Sequence, residues 1–240
     1  MGAIGLVALF CLAFLLAEDR RTIAWRTVIG GVLLQAALAL LLIRFPPARQ
    51  VMVLANDAAD ALARATDAGT AFVFGYLGGA ALPFAEIRPG ASFILAFKAL
   101  PLVLTISALS SLLIHWGVLQ FVMRGFSALL RRSLGISGAL ALGAAVHVFV
   151  GMIEAPLLIR PWLLRMSRGE IFALMTCGMA GVAGTVMVIY GSILGPVLPD
   201  ALGHILTAAI ISTPAALAVS AIMIPAGPVQ PDQSRLTLPH

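Results

Sequence analysis

Glu154 is the residue whose chemistry most needs a reason. It stands inside the apolar stretch HVFVGMIEAPLLIRPW, residues 147–162, with Gly151 before it and Pro156 after it. A carboxylate near the centre of a bilayer costs about 3 kcal/mol on insertion scales and more by other measures. Intramembrane acids therefore usually belong to a substrate or ion path. The alternative reading is an acid that pairs with Arg160 or caps a half-helix, where the positive end of the helix favours the ionised form. His147 is the second titratable group of the stretch, and it is read either as a proton carrier or as a buried imidazole bonded to a carbonyl. The two residues are seven apart across a helix break, which is no metal-ligand spacing, so no metal ligand is assigned. The chain contains no H-E-x-x-H, no G-x-S-x-G and no phosphate-binding glycine loop, and an enzyme is not indicated.

The element that must hold Glu154 is a broken one. Residues 137–150, SGALALGAAVHVFV, make a helix of about 21 Å at 1.5 Å per residue, too short for a hydrocarbon layer about 30 Å thick. Gly151 suits the left-handed end of a helix, and Pro156 suits the first turn of the next, where its missing N–H is not needed. Arg131 and Arg132 precede the stretch and Arg165 and Arg168 follow it. The spacing predicts a re-entrant helical hairpin over about 137–165 with both ends on one side. Backbone that leaves the helix at that depth must be covered by protein or line a cavity.

Around the hairpin the sequence is that of a membrane protein. Of 240 residues, 61% are hydrophobic and 10% charged, against about a quarter charged in soluble domains. Spans are expected at about 3–17, 27–43 and 93–114, with apolar segments at about 170–194 and 202–224. Two amphipathic helices are expected. One covers about 49–67, with Val51, Leu54, Ala58, Leu62 and Ala65 on one face and Asp57, Asp60, Arg64 and Asp67 on the other. The second, VLQFVMRGFSALLRRSLG, sets Val118, Val122, Phe126 and Leu129 against Gln120, Arg124 and Arg131, and its basic face suits anionic headgroups of the lipid bilayer. The net charge of +5 comes from arginines in short loops. They place the N-terminus outside and Arg20, Arg21, Arg26, Arg124, Arg131, Arg132, Arg165 and Arg168 in the cytoplasm. Basic clusters interleaved with aromatics are absent, so nucleic acid is not an expected partner. Cys11 and Cys177 fall in different apolar segments and form no ligand pair. The N-terminus reads as a retained span, and residues 226–240 as a disordered tail. Arginine, alanine and leucine usage points to a bacterial chain, hence the inner membrane.

Five ordered stretches carry a resemblance: FVFGYLGG (72–79), ALPLVLTISALSSLLIHWGVLQ (99–120), GISGALALGAAVHVFVGMIEAPLLIRPWL (135–163), MAGVAGTVMVIYG (179–191) and GHILTAAIISTPAAL (203–217). Together they resemble the concentrative nucleoside transporter family. The resemblance implies an all-α, polytopic, multi-pass membrane protein. It implies ion-coupled symport of nucleosides, a homotrimer, and a transport part built of inverted repeats with one re-entrant hairpin each. The organisation follows: 1–70 on the scaffold side, 71–225 as the nucleoside-transporter-like membrane domain with the hairpin, 226–240 as tail. The first hairpin's tip, G-Q-T-E in the family, contacts the nucleobase, which transfers substrate binding to Gly151, Met152, Ile153 and Glu154. Ion coupling falls on His147, Val150 and Gly181, with Na+ or H+ as the coupling ion and no other cofactor.

The departures are as informative. Met152 and Ile153 replace two hydrogen-bonding side chains. His147 stands where sodium-coupled members have Asn, Gly181 where they have a hydroxyl, and Leu140 where the family has a glutamate. Nothing after residue 225 resembles the second hairpin, so the chain reads as a truncated or N-terminal part of such a transporter. Two alternatives stand beside it: a gate-type membrane protein for another solute, favoured by Met152 and Ile153, and a non-transporting membrane fragment with an interaction role.

Overall fold

A computed structural model describes residues 2–85, 92, 94–152, 154–194, 197–198 and 200–227. Among these the regular elements are helices: α1 (Gly2–Leu15), α2 (Trp25–Arg44), α3 (Pro46–Phe74), α4 (Leu95–His115), α5 (Val118–Leu134), α6 (Gly138–His147), α7 (Glu154–Leu158), α8 (Arg160–Leu163), α9 (Arg168–Ala180), α10 (Gly184–Leu194) and α11 (Ala201–Met223). Within the described residues, α2, α4 and α11 are long and apolar enough to cross a membrane. Residues 228–240 of the tail expected at 226–240, and residue 93 at the start of the span expected at 93–114, lie outside the described residues.

Two compact units form, one from residues 1–45, 120–184 and 207–240 and the other from 46–119 and 185–206. The first contains residues 137–165. Its packing depends on close helix contacts made possible by missing side chains. A Cβ on Gly30 would lie 2.8 Å from the Ser133 carbonyl oxygen, and one on Gly31 would lie 2.8 Å from both the Pro214 carbonyl oxygen and the Ala218 Cβ. Helices that approach this closely gain dispersion contacts that lipid tails cannot replace, the usual route to stable packing in a bilayer. Beside them Ala13, Ile23, Val28, Ala221 and Ile222 form a buried cluster.

One end of this unit gathers the arginines. The Glu18 N–H donates to the Met223 carbonyl at 3.0 Å, and the Thr27 hydroxyl donates to the Leu134 carbonyl at 3.1 Å. The Ser167 hydroxyl donates to the Ala226 carbonyl at 2.7 Å. Arg26 lies against Gly135, and Arg168 pairs with Glu18 at 2.9 Å between exposed side chains. These contacts bring the loop after α1, the ends of α5 and α11 and the starts of α6 and α9 together. Arg20, Arg21, Arg26, Arg131, Arg132, Arg165 and Arg168 therefore share one end, the end the charge bias assigns to the cytoplasm.

Helix α5 uses both of its apolar faces. Met123, Leu130 and Leu134 are buried, whereas Val118, Phe121, Val122 and Leu129 are exposed. The stripe expected from the sequence is thus the one left uncovered, except for half-buried Phe126.

In the second unit the helix expected at 49–67 is longer, starting at Pro46 and ending at Phe74. Pro46 fits there because a helix start needs no N–H from it. Its inward face runs through Thr66 and Thr70, while Leu54 of the expected apolar stripe is exposed. The Thr66 hydroxyl meets that of Thr105 at 3.3 Å, and Thr105 donates to the Pro101 carbonyl. Thr70 holds the Gly78 carbonyl at 2.9 Å and fixes the 3-10 turn Gly75–Gly78.

The topology makes a direct prediction. In a Cys11→Ser background, cysteines at exposed Arg20 and Leu164 should react with a membrane-impermeant maleimide from the same side of sealed vesicles. Reaction from opposite sides would mean that residues 137–165 cross the bilayer.

Candidate functional site

The stretch around Glu154 folds as a chain reversal. Helix α6 is capped by Ser137, whose hydroxyl oxygen accepts the Leu140 N–H at 3.3 Å. It ends at His147 after 10 residues, about 15 Å, four residues short of Gly151. The device expected to stop it is not used. Gly151 is not among the described glycines with positive φ, which are Gly75, Gly79, Gly117, Gly135 and Gly227. Instead the chain leaves the helix at Val148 in a right-handed turn, and the N–H groups of Phe149 and Val150 both donate to the Val146 carbonyl, at 3.0 and 2.9 Å. Pro156 falls in the first turn of α7, as expected. The return arm is two short helices rather than one, interrupted at Ile159 (φ −102°, ψ 10°), because Pro161 has no N–H for the carbonyl of Leu157 four residues earlier and its ring crowds it.

Helix α9 then begins with a reciprocal cap. The Ser167 hydroxyl oxygen accepts the Glu170 N–H, and the Glu170 carboxylate accepts the Ser167 N–H at 2.8 Å. Its register against α6 fixes the direction of the reversal. Gly143 faces Leu174 and Ile159, and Gly178 faces the His147 ring. Gly181 faces the His147 carbonyl, and Gly184 faces the Phe149 carbonyl. Both numbers rise together, so α6 and α9 run parallel and start at the same end. The chain must return between them, and α7 and α8 are the return.

Two helix breaks consequently lie side by side. The apolar segment expected at 170–194 is interrupted at Gly181–Ala183, where Gly181 is extended (φ −100°, ψ 172°). This opening runs beside Val148–Gly151. Each helix end leaves its last carbonyls without intrahelical partners and carries the negative end of the helix dipole. Parallel α6 and α9 therefore aim two such ends at one place.

His147 sits in that place. It is 5% exposed, and among the described residues neither ring nitrogen has a hydrogen-bond partner. The expectation of an imidazole satisfied by a carbonyl is not met. The ring rests on Gly178, where a Cβ would lie 2.9 Å from its Cε1. Of the other positions read from the sequence, Val150, Gly151 and Gly181 are half-buried at the breaks, and Met152 is exposed at the tip. Ile153 and the side chain of Glu154 lie outside the described residues. A cavity of about 250 Å³ lies elsewhere, at the arginine end, lined by Arg26, Thr27, Leu134, Gly169, Leu217 and Ser220 among others. None of the tip residues borders it. Sequence reasoning missed Gly143, Gly178 and Gly184. The available signal was the equal four-residue step in Gly143–His147 and Leu174–Gly178, which aligns two helix faces.

Comparison with known proteins agrees with this geometry. A family model described as "Na+ dependent nucleoside transporter N-terminus" matches residues 4–77, and one described as "Nucleoside recognition" matches residues 96–197. An uncharacterized transporter of Haemophilus influenzae is 34% identical over 92% of this chain and 50% of its own length. The putative nucleoside permease NupX of Escherichia coli is 30% identical over 93% of this chain and 52% of its own. The solved structure of CNTnw in an inward-facing substrate-bound state superposes with a TM-score of 0.83 at 30% identity, covering 99% of this chain and 55% of that one. The chain spans about half the length of the bacterial relatives it matches.

The close approach at the breaks is testable by a methyl group. A Cβ at residue 184 would lie 2.7 Å from the Phe149 carbonyl oxygen, which is backbone and cannot rotate away. Gly184→Ala should destabilise the chain by about 1–3 kcal/mol, the usual cost of overpacking. Gly125→Ala, in a helix with nothing within 4 Å, should be neutral or stabilising by up to about 1 kcal/mol. Thermal melts of the two variants in one detergent check this, and equal melting temperatures would contradict the packing described.

Proposed function

Because the chain belongs to the concentrative nucleoside transporter family and carries its N-terminal portion, we propose that it forms the first, nucleoside-contacting half of an ion-coupled symporter in a bacterial inner membrane. The observation that carries this reading is the pair of adjacent breaks, Val148–Gly151 beside Gly181–Ala183. Non-helical backbone at membrane depth needs a protein-lined cavity, and half-helix ends at mid-membrane are the general form of a transporter's binding site. The likeness to a substrate-bound structure supports it.

In this reading 137–165 is a re-entrant hairpin, half of an inverted-repeat architecture. Gly151, Met152, Ile153 and Glu154 meet the solute, and the exposed apolar face of α5 rests in lipid beside the headgroups that its arginines bind. The cargo is a nucleoside moved inward with a sodium or proton gradient, and the assembly is a homotrimer. Glu154 gives the tip its one charged acceptor, while Met152 and Ile153 supply contact area. A gate-type protein for another solute is the second reading, favoured by those two apolar residues.

Substitution of the acid separates binding from capping. A hydrogen bond to a charged acceptor is worth about 1.5–3 kcal/mol, so Glu154→Gln should raise the Kd for uridine about 10- to 100-fold, and Met152→Ala should raise it less. Isothermal titration and thermal melting on the same purified variant decide the matter. Unchanged affinity with a lower melting temperature would leave Glu154 as a cap only, and a wild-type chain that binds no nucleoside would remove the transporter reading in favour of another solute.

A further inference from the structure

The cavity of about 250 Å³ at the arginine end has no part in the solute contact described above. It lies between the start of α2, the end of α11 and the starts of α6 and α9. Its walls are largely apolar, with Leu134, Ile136, Leu140, Leu217 and Ile224 among them, and its charged lining residue is Arg26. The guanidinium of Arg26 is laid over bare backbone. A Cβ at residue 135, where φ is +67°, would lie 3.4 Å from the Arg26 Cζ.

Among the described residues no acid pairs with this guanidinium. Glu18 is held by Arg168 at 2.9 Å, the Asp19 carboxylate accepts the Arg21 N–H, and the Glu170 carboxylate accepts the Ser167 N–H. The helix ends do not supply the missing negative charge. Helices α2, α6 and α9 begin here, with the positive ends of their dipoles. Helices α5 and α11 end here, but the Leu134 and Met223 carbonyls already accept from Thr27 and Glu18. Two hydroxyls also line the cavity, those of Thr27 and Ser220. Their protons go to the Leu134 and Leu217 carbonyls at 3.1 and 3.0 Å, so each offers the cavity lone pairs rather than a donor.

We propose that this cavity binds the headgroup of an anionic phospholipid of the cytoplasmic leaflet. The phosphate diester pairs with Arg26, and a hydroxyl-bearing headgroup donates to the oxygens of Thr27 and Ser220. Arginine matches a phosphate with two parallel N–H donors, and basic pockets between spanning helices on the cytoplasmic side are a general form of headgroup site. Helices α2 and α11 are such helices. The depth agrees, because exposed Trp25 stands next to Arg26 and an indole favours the membrane–water boundary. The volume suits a headgroup whose acyl chains remain in the bilayer, and the apolar walls suit its glycerol backbone, whereas a free phosphate would leave them bare. The site is independent of what the hairpin tip binds.

The test uses the full 240-residue chain in phosphatidylcholine nanodiscs that contain a small fraction of phosphatidylglycerol with a diazirine near the start of one acyl chain. After irradiation, label should concentrate on residues 134–140 and 217–227. Unlabelled phosphatidylglycerol should compete it away, and inorganic phosphate should not. Arg26→Gln removes a charge-assisted contact and should cut the labelling about tenfold. Arg132→Gln, at the same end but outside the cavity lining, should leave it unchanged. Ala221→Leu narrows the cavity and should also cut labelling, with a thermal melt to confirm folding; if that variant fails to fold, the two arginine variants decide. Label that never saturates and spreads over the exposed faces of α2 and α4, or equal losses in both arginine variants, would reduce the site to diffuse positive charge and overturn the proposal. Displacement by inorganic phosphate would make it a site for a free anion. Labelling that appears only in Asp232→Asn would make residues 228–240 of the chain the occupant, and either result removes the lipid.

Discussion

The structure depends on one length. Helix α6 has 10 residues, about 15 Å, and no helix of that size crosses about 30 Å of hydrocarbon. A segment that enters with that reach must turn back, and its turn must be covered, because lipid offers no partner for a bare N–H or carbonyl. The parallel register of α9 against α6 is the complementary fact. Two helices that start at one end and run side by side need a return arm between them, and α7 with α8 has the right length to be one.

Small residues make the arrangement possible. Gly143, Gly178 and Gly184 each stand where a side chain would strike the partner segment. They let the two broken segments lie against each other, so that their freed carbonyls and dipole ends act together rather than at separate places. The same device joins α2 to α5 and α11 through Gly30 and Gly31. These close approaches add to the burial of large apolar side chains in the same unit, Met123, Leu130, Leu134, Leu140, Ile159, Leu174 and Leu217. This suits a solvent as apolar as the core itself, where packing replaces the hydrophobic effect as the adhesive between helices.

Much of this is legible in the residues. Length and apolarity identify α2, α4 and α11. The break near Gly151 and Pro156 follows from helix chemistry, and the arginines of the short loops share an end as the charge bias requires. Other features resist local reading. The end of α6 at His147 rather than near Gly151 is set by how α9 packs, which no window of α6 contains. The second break at Gly181 hides in a continuous apolar run, because its glycines matter only beside Phe149 and His147. On α5 the apolar stripe and the buried face are different faces, and a helix with two apolar sides gives periodicity no means to choose between protein and lipid. His147 is visible as a titratable residue, but its missing partners belong to three-dimensional surroundings.

The parallel register is the claim from which the rest follows, and paired cysteines test it directly. In a chain freed of Cys11 and Cys177, oxidation should bridge cysteines placed at 143 and 174, and at 147 and 178. The crossed pairs 143 with 178 and 147 with 174 should stay reduced. Bridging of the crossed pairs alone would make α6 and α9 antiparallel, and the chain reversal through α7 and α8 and the paired breaks would fall with it.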